Sequence, residues 1–526
     1  MKNICVLDVT LRDGGCVNNF NFGEKYMCEI LSSLEASGVE YIELGYIDEN
    51  KGSETGRTQF ISEKVISEYF LTHKSKKCSY VAMMDYGKFD ARNFGARTPR
   101  SIDGIRVAFH KKDWKDAINT CKEVLNKGYE LFVQPMLIMR YTDSEILELV
   151  SAINRELPNA KGVYIVDSFG EMRPSDVIRK MHLLDNNLSP DMIIGFHSHN
   201  NLQLSYSNAM ALLDYKTSRS LMLDSSVMEM GKGAGNLNTE LLLEHLNIYN
   251  NKNYKIAPLL ELIDKVINVI HKEFYWGYSA EYYLSSINAC TPSYASHFYN
   301  RHMLTIEQVA ELLSLIPDNK KISFDAAFAE TLYLEYNAKN LYDDTAVINE
   351  LKDSFSGCKV LLIAPGKSIA DYSERITALI KQDDIVSISL NNFAFDTDFV
   401  LVTRPELLPL AIKNNRHVIA PSNIETITGI KTINYRKWII TGEKTFDSAG
   451  AISIKLMTEL KPSYVLLAGF DGFSVDINKN YFDKAMRRPV NEAQAETRNS
   501  FYKALIEEFS EKVDVEFVTP SLYERK

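Results

Sequence analysis

The sequence predicts an α/β protein: a (β/α)8 TIM barrel with a helical appendage, followed by a separate Rossmann-like α/β domain. Three observations predict it. Over residues 1–250, eight short β-branched runs alternate with segments of helical apolar spacing, and no two runs are joined by a hairpin turn, so crossover helices and a parallel sheet are required. Eight such units in about 250 residues match the size of a closed barrel, with a doubly wound open sheet as the structural alternative. A fresh strand–turn–helix series then begins at Lys359, after a stretch with little strand signal.

The expected barrel strands are Ile4–Thr10, Tyr41–Tyr46, Cys78–Met84, Gly104–His110, Leu131–Met136, Gly162–Ser168, Ile193–His199 and Ser220–Val227. Helical spacing fills Lys25–Ala36, Trp114–Asn126, Ser144–Glu156 and Ser175–Leu184. Residues 251–345 change character, with periodic apolar positions in Ile256–Phe274 and Ile306–Leu315, and form the appendage. Its aromatic residues, including Phe274, Trp276 and Tyr283, could cover the barrel mouth, form a homodimer or simply pack in a core. The polar run 339–357 reads as a linker. Residues 358–526 form the second α/β domain, with strands at VLLIAPGKS, Ile385–Leu390, Phe399–Thr403, Val418–Pro421 and Tyr464–Gly469.

The 526 residues are 45% hydrophobic and 24% charged, an ordinary globular balance with ample apolar material for more than one core. A formal net charge of −10 argues against a mainly phosphate-driven nucleic-acid binder. Seven dispersed cysteines without a CxxC pair read as reduced thiols. No signal-peptide architecture precedes ICVLDV, and no apolar run reaches the length of a membrane helix. A cytoplasmic protein without nucleic-acid or membrane partners is the expectation.

Catalytic groups of such barrels cluster at the C-terminal ends of the strands. The first strand ends in LDVTLRDGG, which puts Arg12 and Asp13 at the mouth. The seventh ends in FHSHNN, where His197 and His199, two apart, share one face. The eighth leads into MGKGAGNLN, whose glycines permit tight backbone. One carboxylate and two imidazoles form a mixed N/O set suited to a catalytic divalent ion. Glu43, Asp167 and Ser168 also end strands, and Arg106 and His110 share a face of the fourth, so Glu43, Arg106 and His110 are candidates for substrate contact as well as for internal pairing.

These motifs carry a resemblance. LDVTLRDGG, IELGY, IRVAFH, VDSFGEM, FHSHNNLQLSYSNA and GKGAGN, in this order over residues 4–250, resemble the metal-dependent barrels of the pyruvate-type aldolase and hydroxymethylglutaryl-CoA lyase superfamily. The branch of 4-hydroxy-2-oxovalerate aldolases is the nearest. The resemblance implies that Asp13, His197 and His199 bind Mn2+ or Mg2+, with Asn236 close to the ion. It implies that Arg12 sits beside the substrate oxygen that becomes an enolate. A 2-keto acid and an aldehyde would be the substrates, in sugar or surface-polysaccharide metabolism. Those aldolases carry an acid/base histidine three residues after the aspartate, where this chain has Cys16, and Tyr282 lies where they place an active-site tyrosine. A thiol is a poor direct substitute. A Claisen-type acyl-CoA synthase and a barrel retained only as a binding scaffold are the competing functions.

Two motifs mislead. GKGAGN lacks the full dinucleotide fingerprint, and Gly366-Lys367-Ser368 lacks the P-loop's first glycine, since Leu361 stands there. The turn after VLLIAPGKSI nevertheless offers backbone N–H groups to an anion. Gly366, Lys367, Ser368 and Asn391 are therefore the candidate ligand contacts of the second domain. SISLNNFAF, TDFVLVTRPE and LAGFDGFS follow in an order that faintly resembles sialyltransferase-like polysaccharide-synthesis proteins, which implies a nucleotide or nucleotide-sugar ligand. Asp396 and Asp398 read as the turn before a strand rather than as a metal site.

Overall fold

The structure, a computed structural model, describes residues 3–52, 54–70, 78–301, 303–339, 342–414, 417–424, 429–438, 448–486, 490 and 492–524. The chain divides into two compact units, Met1–Pro292 and Ser293–Lys526.

The first unit is a closed parallel barrel. Its strands are β1 (Ile4–Asp8), β2 (Tyr41–Ile47), β3 (Ser79–Asp85), β4 (Gly104–Phe109), β5 (Glu130–Pro135), β6 (Gly162–Asp167), β7 (Ile193–Ser198) and β8 (Leu221–Ser225). Each pairs with its sequence neighbours, and β1 closes the ring by pairing with β8 (Ile4 opposite Leu221) and with β2 (Leu7 opposite Tyr41). All eight expected strands are present, shifted at their ends by one or two residues. The closed barrel, rather than an open sheet, is the architecture.

Alternation explains both cores. Inward-facing Leu7, Val81, Phe132, Tyr164 and Met222 fill the barrel, while residues such as Ile42, Ile105, Val133 and Ile194 face outward to the helices. The helices are α1 (Glu24–Ser37), α2 (Glu63–Phe70), α3 (Trp114–Asn126), α4 (Asp143–Glu156), α5 (Pro174–Asn187), α6 (Ser205–Asp214) and α7 (Thr239–Tyr249). Local chemistry sets their ends. Thr142 and Glu145 form a capping box that starts α4, Pro174 occupies the first turn of α5, and Gly38 at φ +90° closes α1. Between β3 and β4 the described crossover has only a 3-10 turn, Ala91–Asn93.

The helical appendage expected over 251–345 is shared between the two units. Ala257–Leu262, a π turn at Ile263–Ile267, Asn268–Glu273 and Ala280–Ile287 belong to the barrel unit, and the helices from Ile306 onward to the second. The run 339–357 is largely not a linker. Residues 340 and 341 lie outside the described residues, but Thr345–Phe355 is a helix that buries Ile348, Leu351 and Phe355, a helical stripe hidden among polar neighbours.

The second unit contains a seven-stranded parallel sheet: β9 (Lys359–Ile363), β10 (Ile385–Leu390), β11 (Phe399–Leu401), β12 (His417–Pro421), β13 (Lys431–Ile433), β14 (Tyr464–Ala468) and β15 (Val515–Phe517). The order is β13-β12-β11-β10-β9-β14-β15, so the winding direction reverses between β9 and β14. Strands β13 and β15, three residues each, carried too little pattern to be expected. Asp398 does mark a turn: its carboxylate accepts from the backbone N–H (2.8 Å) and hydroxyl (2.7 Å) of Ser387. Among the described residues, no helix is long and apolar enough to cross a membrane.

Candidate metal centre

Each group reaches the barrel mouth by a local rule. Arg12 and Asp13 lie in the turn that leaves β1, where the N–H groups of Arg12 and Asp13 both bond back to the Val9 carbonyl. His197 and His199 project to one side of β7 by the period of two, with ring centroids 5.2 Å apart. One ligand atom each from Asp13, His197 and His199 falls within 4.8 Å of the others, and all three residues are buried.

The supporting contacts decide which atoms face that centre. His197 Nδ1–H donates to Asp224 Oδ2 (2.9 Å), and His199 Nδ1–H donates to the Lys232 carbonyl (3.1 Å). Both imidazoles are thereby held with Nε2 as the nitrogen that carries a lone pair, the usual arrangement of a metal-binding histidine. Burial pushes His199 down to about 4, so it is neutral near pH 7. Burial pushes Asp13 up, but Arg12 and the two imidazoles outweigh it and hold the carboxyl well below the usual carboxylate range.

Asn236 donates through Nδ2 to Asp13 Oδ2 (2.9 Å), while its Oδ1 is buried without a partner. A buried orphan oxygen beside an ionised carboxylate and two imidazole lone pairs is a donor set that fits a divalent cation. The glycines of GKGAGN make room for it. A Cβ on Gly231 would lie 2.3 Å from Asn236 Nδ2 and 2.7 Å from Asp13 Oδ2, and one on Gly235, at φ +94°, would lie 2.0 Å from the Glu229 carbonyl. The loop is pinned by Asn201, whose Oδ1 accepts from Ala234 N–H (2.8 Å) and whose Nδ2 donates to the Phe169 carbonyl (3.0 Å).

A charged network lies behind these groups. Arg12 donates to Glu43 Oε2 (2.6 Å) and Asp13 Oδ1 (2.7 Å), leaving its Nη2 buried and unpartnered. Arg106 donates to Glu43 Oε2 (2.9 Å) and to Asp224, and its guanidinium lies 4.7 Å from the Tyr164 ring centroid. Arg106 and Glu43 are both 0% exposed. Of the proposed substrate contacts, these two therefore sit within the barrel as supports: Glu43 orients Arg12, and Arg106 joins Glu43 to Asp224. Buried charges persist only when paired, and here two guanidinium groups face three carboxylates, those of Asp13, Glu43 and Asp224.

His110 directly follows β4 and is half-buried, and Tyr282 is half-buried in the first turn of helix Ala280–Ile287. Ser286 of that helix donates to the Phe169 carbonyl, and Trp276 Nε1–H donates to the Met228 carbonyl (2.9 Å). These bonds bring the segment carrying Tyr282 to the C-terminal side of the barrel. Cys16 is exposed in the turn Gly14–Cys16. Asp224 is the supporting residue that sequence reasoning passed over. Its signal was present, because it falls on the inward parity of β8, but nothing local distinguished it from an ordinary polar strand residue.

The family model of HMGL-like proteins matches residues 3–266. The chain belongs to the HMGL-like family. Among its relatives, 4-hydroxy-2-oxovalerate aldolase of Geobacillus thermodenitrificans is 27% identical over 268 residues, half of this chain and 76% of that protein. The enzyme of the same name from Shewanella halifaxensis is 28% identical over 292 residues, covering 53% of this chain and 84% of that one. The crystal structure of the N-terminal domain of a protein described as an aldolase from Bacteroides vulgatus shares the fold, with a TM-score of 0.50 at 23% identity, covering 58% of this chain and 99% of that chain. The barrel is thus of the aldolase and lyase type, and the family match ends before the second unit begins.

Proposed function

We propose that the barrel unit is a divalent-metal aldolase that forms or cleaves a carbon–carbon bond through the enolate of a 2-keto acid, with an aldehyde as the second substrate. The observation that carries this reading is the convergence of Asp13, His197 and His199 with both histidine Nδ1 atoms already committed, so that Nε2 of each is the ligating atom. These three residues, with Asn236 Oδ1, would hold Mn2+ or Mg2+. The ion, when bound, supplies Lewis-acid polarisation of the keto oxygen.

The chain's own groups do the rest. Arg12 keeps one buried N–H-bearing nitrogen, Nη2, without a partner beside Asp13, and that nitrogen is placed to donate to an oxygen gaining negative charge. Glu43 fixes the guanidinium so that little reorganisation is needed at that moment. Cleavage requires a base to take the proton from the hydroxyl of the 4-hydroxy-2-keto acid, and synthesis requires the same group to return it. With Cys16 at the family's histidine position, we assign this proton to Tyr282, acting directly or through one water. The names of the relatives favour aldehyde chemistry over acyl-CoA chemistry.

The test is exchange of the pyruvate methyl protons in deuterated water, followed by NMR with Mn2+- or Mg2+-loaded protein. Exchange should occur with metal, stop on chelation, and fall sharply in Arg12→Gln. Absence of exchange with every divalent ion tried would overturn the enolate reading. Tyr282→Phe should retain exchange while losing turnover with an aldehyde.

A further inference from the structure

The second unit contains a cavity of about 760 Å³ at the C-terminal ends of β9, β10, β11 and β14. This is where the sheet order reverses, between β9 and β14. Open parallel sheets take their ligands at that point because loops leaving the two central strands diverge to opposite faces. The volume suits a ligand the size of a nucleotide.

The floor is bare backbone. Ala364 N–H donates to the Ala468 carbonyl (2.8 Å) and Gly366 N–H to the Gly469 carbonyl (3.1 Å), which locks the two loops edge to edge. A Cβ on Gly366 would lie 2.2 Å from the Gly469 oxygen, so only glycine permits this approach. Gly366 and Asn391 line the cavity, but Lys367 and Ser368 do not, and the backbone N–H of Ser368 (2.7 Å) and its hydroxyl both go to the Asp471 carboxylate. Ala449 and Gly450, at the start of the twelve-residue helix Ala449–Leu460, do line the cavity. Its N-cap Ser448 accepts from Ala451 N–H, one position further on.

The walls add two kinds of recognition. Arg301, Arg404 and Arg498 line the cavity together with Asp471, and Arg301 is held by an ion pair with Glu330 and Arg404 by one with Glu406. Guanidinium groups fixed in this way beside a helix N-terminus offer N–H donors to an anion. Phe473, Tyr502 and Tyr523 supply aromatic surface: Tyr502 and Tyr523 stack at 5.6 Å, and the Arg498 guanidinium lies 5.2 Å from the Phe473 centroid. Rings and guanidinium planes of this kind hold a flat ligand ring by stacking.

We propose that this cavity binds a nucleoside phosphate, with its phosphate between the first turn of helix Ala449–Leu460 and the arginines and its base against the Phe473–Tyr502 surface. A free phosphate would satisfy only the first half of the site, and an uncharged nucleoside only the second. Every residue that lines the cavity belongs to the second unit.

Isothermal titration calorimetry on the full chain with AMP, CMP, GMP, UMP and their diphosphates tests this, with the matching nucleosides and inorganic phosphate as controls. At least one nucleotide should bind with Kd below about 100 μM, and its nucleoside and phosphate at least about tenfold more weakly. Arg498→Gln and Arg404→Gln should each weaken binding about tenfold, Arg404→Lys less, and Asp13→Ala not at all. Unchanged thermal stability of the arginine variants separates lost contact from lost folding. Three results would overturn the proposal: no nucleotide binding, a nucleoside binding as tightly as its phosphate, or binding lost in Asp13→Ala but kept in both arginine-to-glutamine variants.

Discussion

The barrel mouth and the cavity of the second unit both lie at the carboxyl ends of parallel strands, yet they are built from opposite materials. At the mouth, Arg12 and Arg106 are enclosed by Asp13, Glu43 and Asp224 in a buried network that fixes each side chain. In the cavity, three arginines stand at the wall beside aromatic rings, two of them paired with glutamates, Arg301 with Glu330 and Arg404 with Glu406. The first arrangement suits chemistry, because its dipoles are set before the substrate arrives. The second leaves room beside its arginines, in a cavity of about 760 Å³. A parallel sheet thus supplies the location in both cases, and side-chain charge balance decides the use.

The contrast can be broken most forcefully at the metal ligands. His199→Ala or Asp13→Ala should abolish stoichiometric Mn2+ or Mg2+ binding, read by calorimetry, and lower turnover by more than the roughly 10–100-fold typical of a lost supporting partner. Nucleotide binding should not respond. If either variant binds the ion as tightly as the unmutated chain, the centre is misplaced.

Asp224→Ala comes next. It leaves His197 without its orienting acceptor and Arg106 without one of its carboxylates. Metal affinity should fall roughly 10–100-fold, and urea unfolding should show a loss of about 3–5 kcal/mol, the cost of a buried charge left unpaired. Asp224→Asn, which keeps the volume and an acceptor oxygen, should recover part of the stability.

A paired glycine substitution sharpens the comparison further. Gly231→Ala drives a methyl group against Asn236 and Asp13, and Gly366→Ala drives one against the Gly469 carbonyl. Each should cost about 1–3 kcal/mol of stability by overpacking. The first should weaken metal binding alone and the second nucleotide binding alone, a double dissociation that calorimetry reads directly.

The smallest effect is one of pH. Burial and the neighbouring Arg301 push His297 of the second unit down to about 4 from its ordinary 6.5. The unfolded chain then binds a proton that the folded chain refuses, so the contribution is full above pH 6.5 and lost as pH falls toward about 4. Because the ring is partly exposed, a loss of about 1–2 kcal/mol is expected across that window. His297→Gln should flatten the corresponding slope in urea unfolding, and an unchanged slope would remove His297 as its source.

Strand parity made much of the barrel legible from sequence. His197 and His199, two apart on a strand, and Arg12-Asp13 just past another could be assigned to the mouth before any coordinate was known. Tyr282 was placed by likeness alone, and Arg106 and Glu43, candidates for substrate contact or internal pairing, are ion-paired with each other inside the barrel. In the second unit Gly366, Lys367, Ser368 and Asn391 were the candidate ligand contacts; Gly366 and Asn391 line the cavity, and Ser368 bonds to Asp471, 103 residues away. Helix Thr345–Phe355 was hidden because three apolar residues carry its buried face within a polar run.

The sequence by itself determined the eight barrel strands and their order, and brought out Asp13, His197 and His199 as candidate metal ligands, because apolar period and strand-end position are properties of neighbouring residues. Only the tertiary structure decided which atoms of those ligands face inward. It paired His197 with Asp224 and His199 with the Lys232 carbonyl, left Arg12 Nη2 and Asn236 Oδ1 unpartnered at the centre, and committed Ser368 to Asp471. Such pairings depend on strand register and loop approach between segments far apart in the chain. Local periodicity carries no record of them.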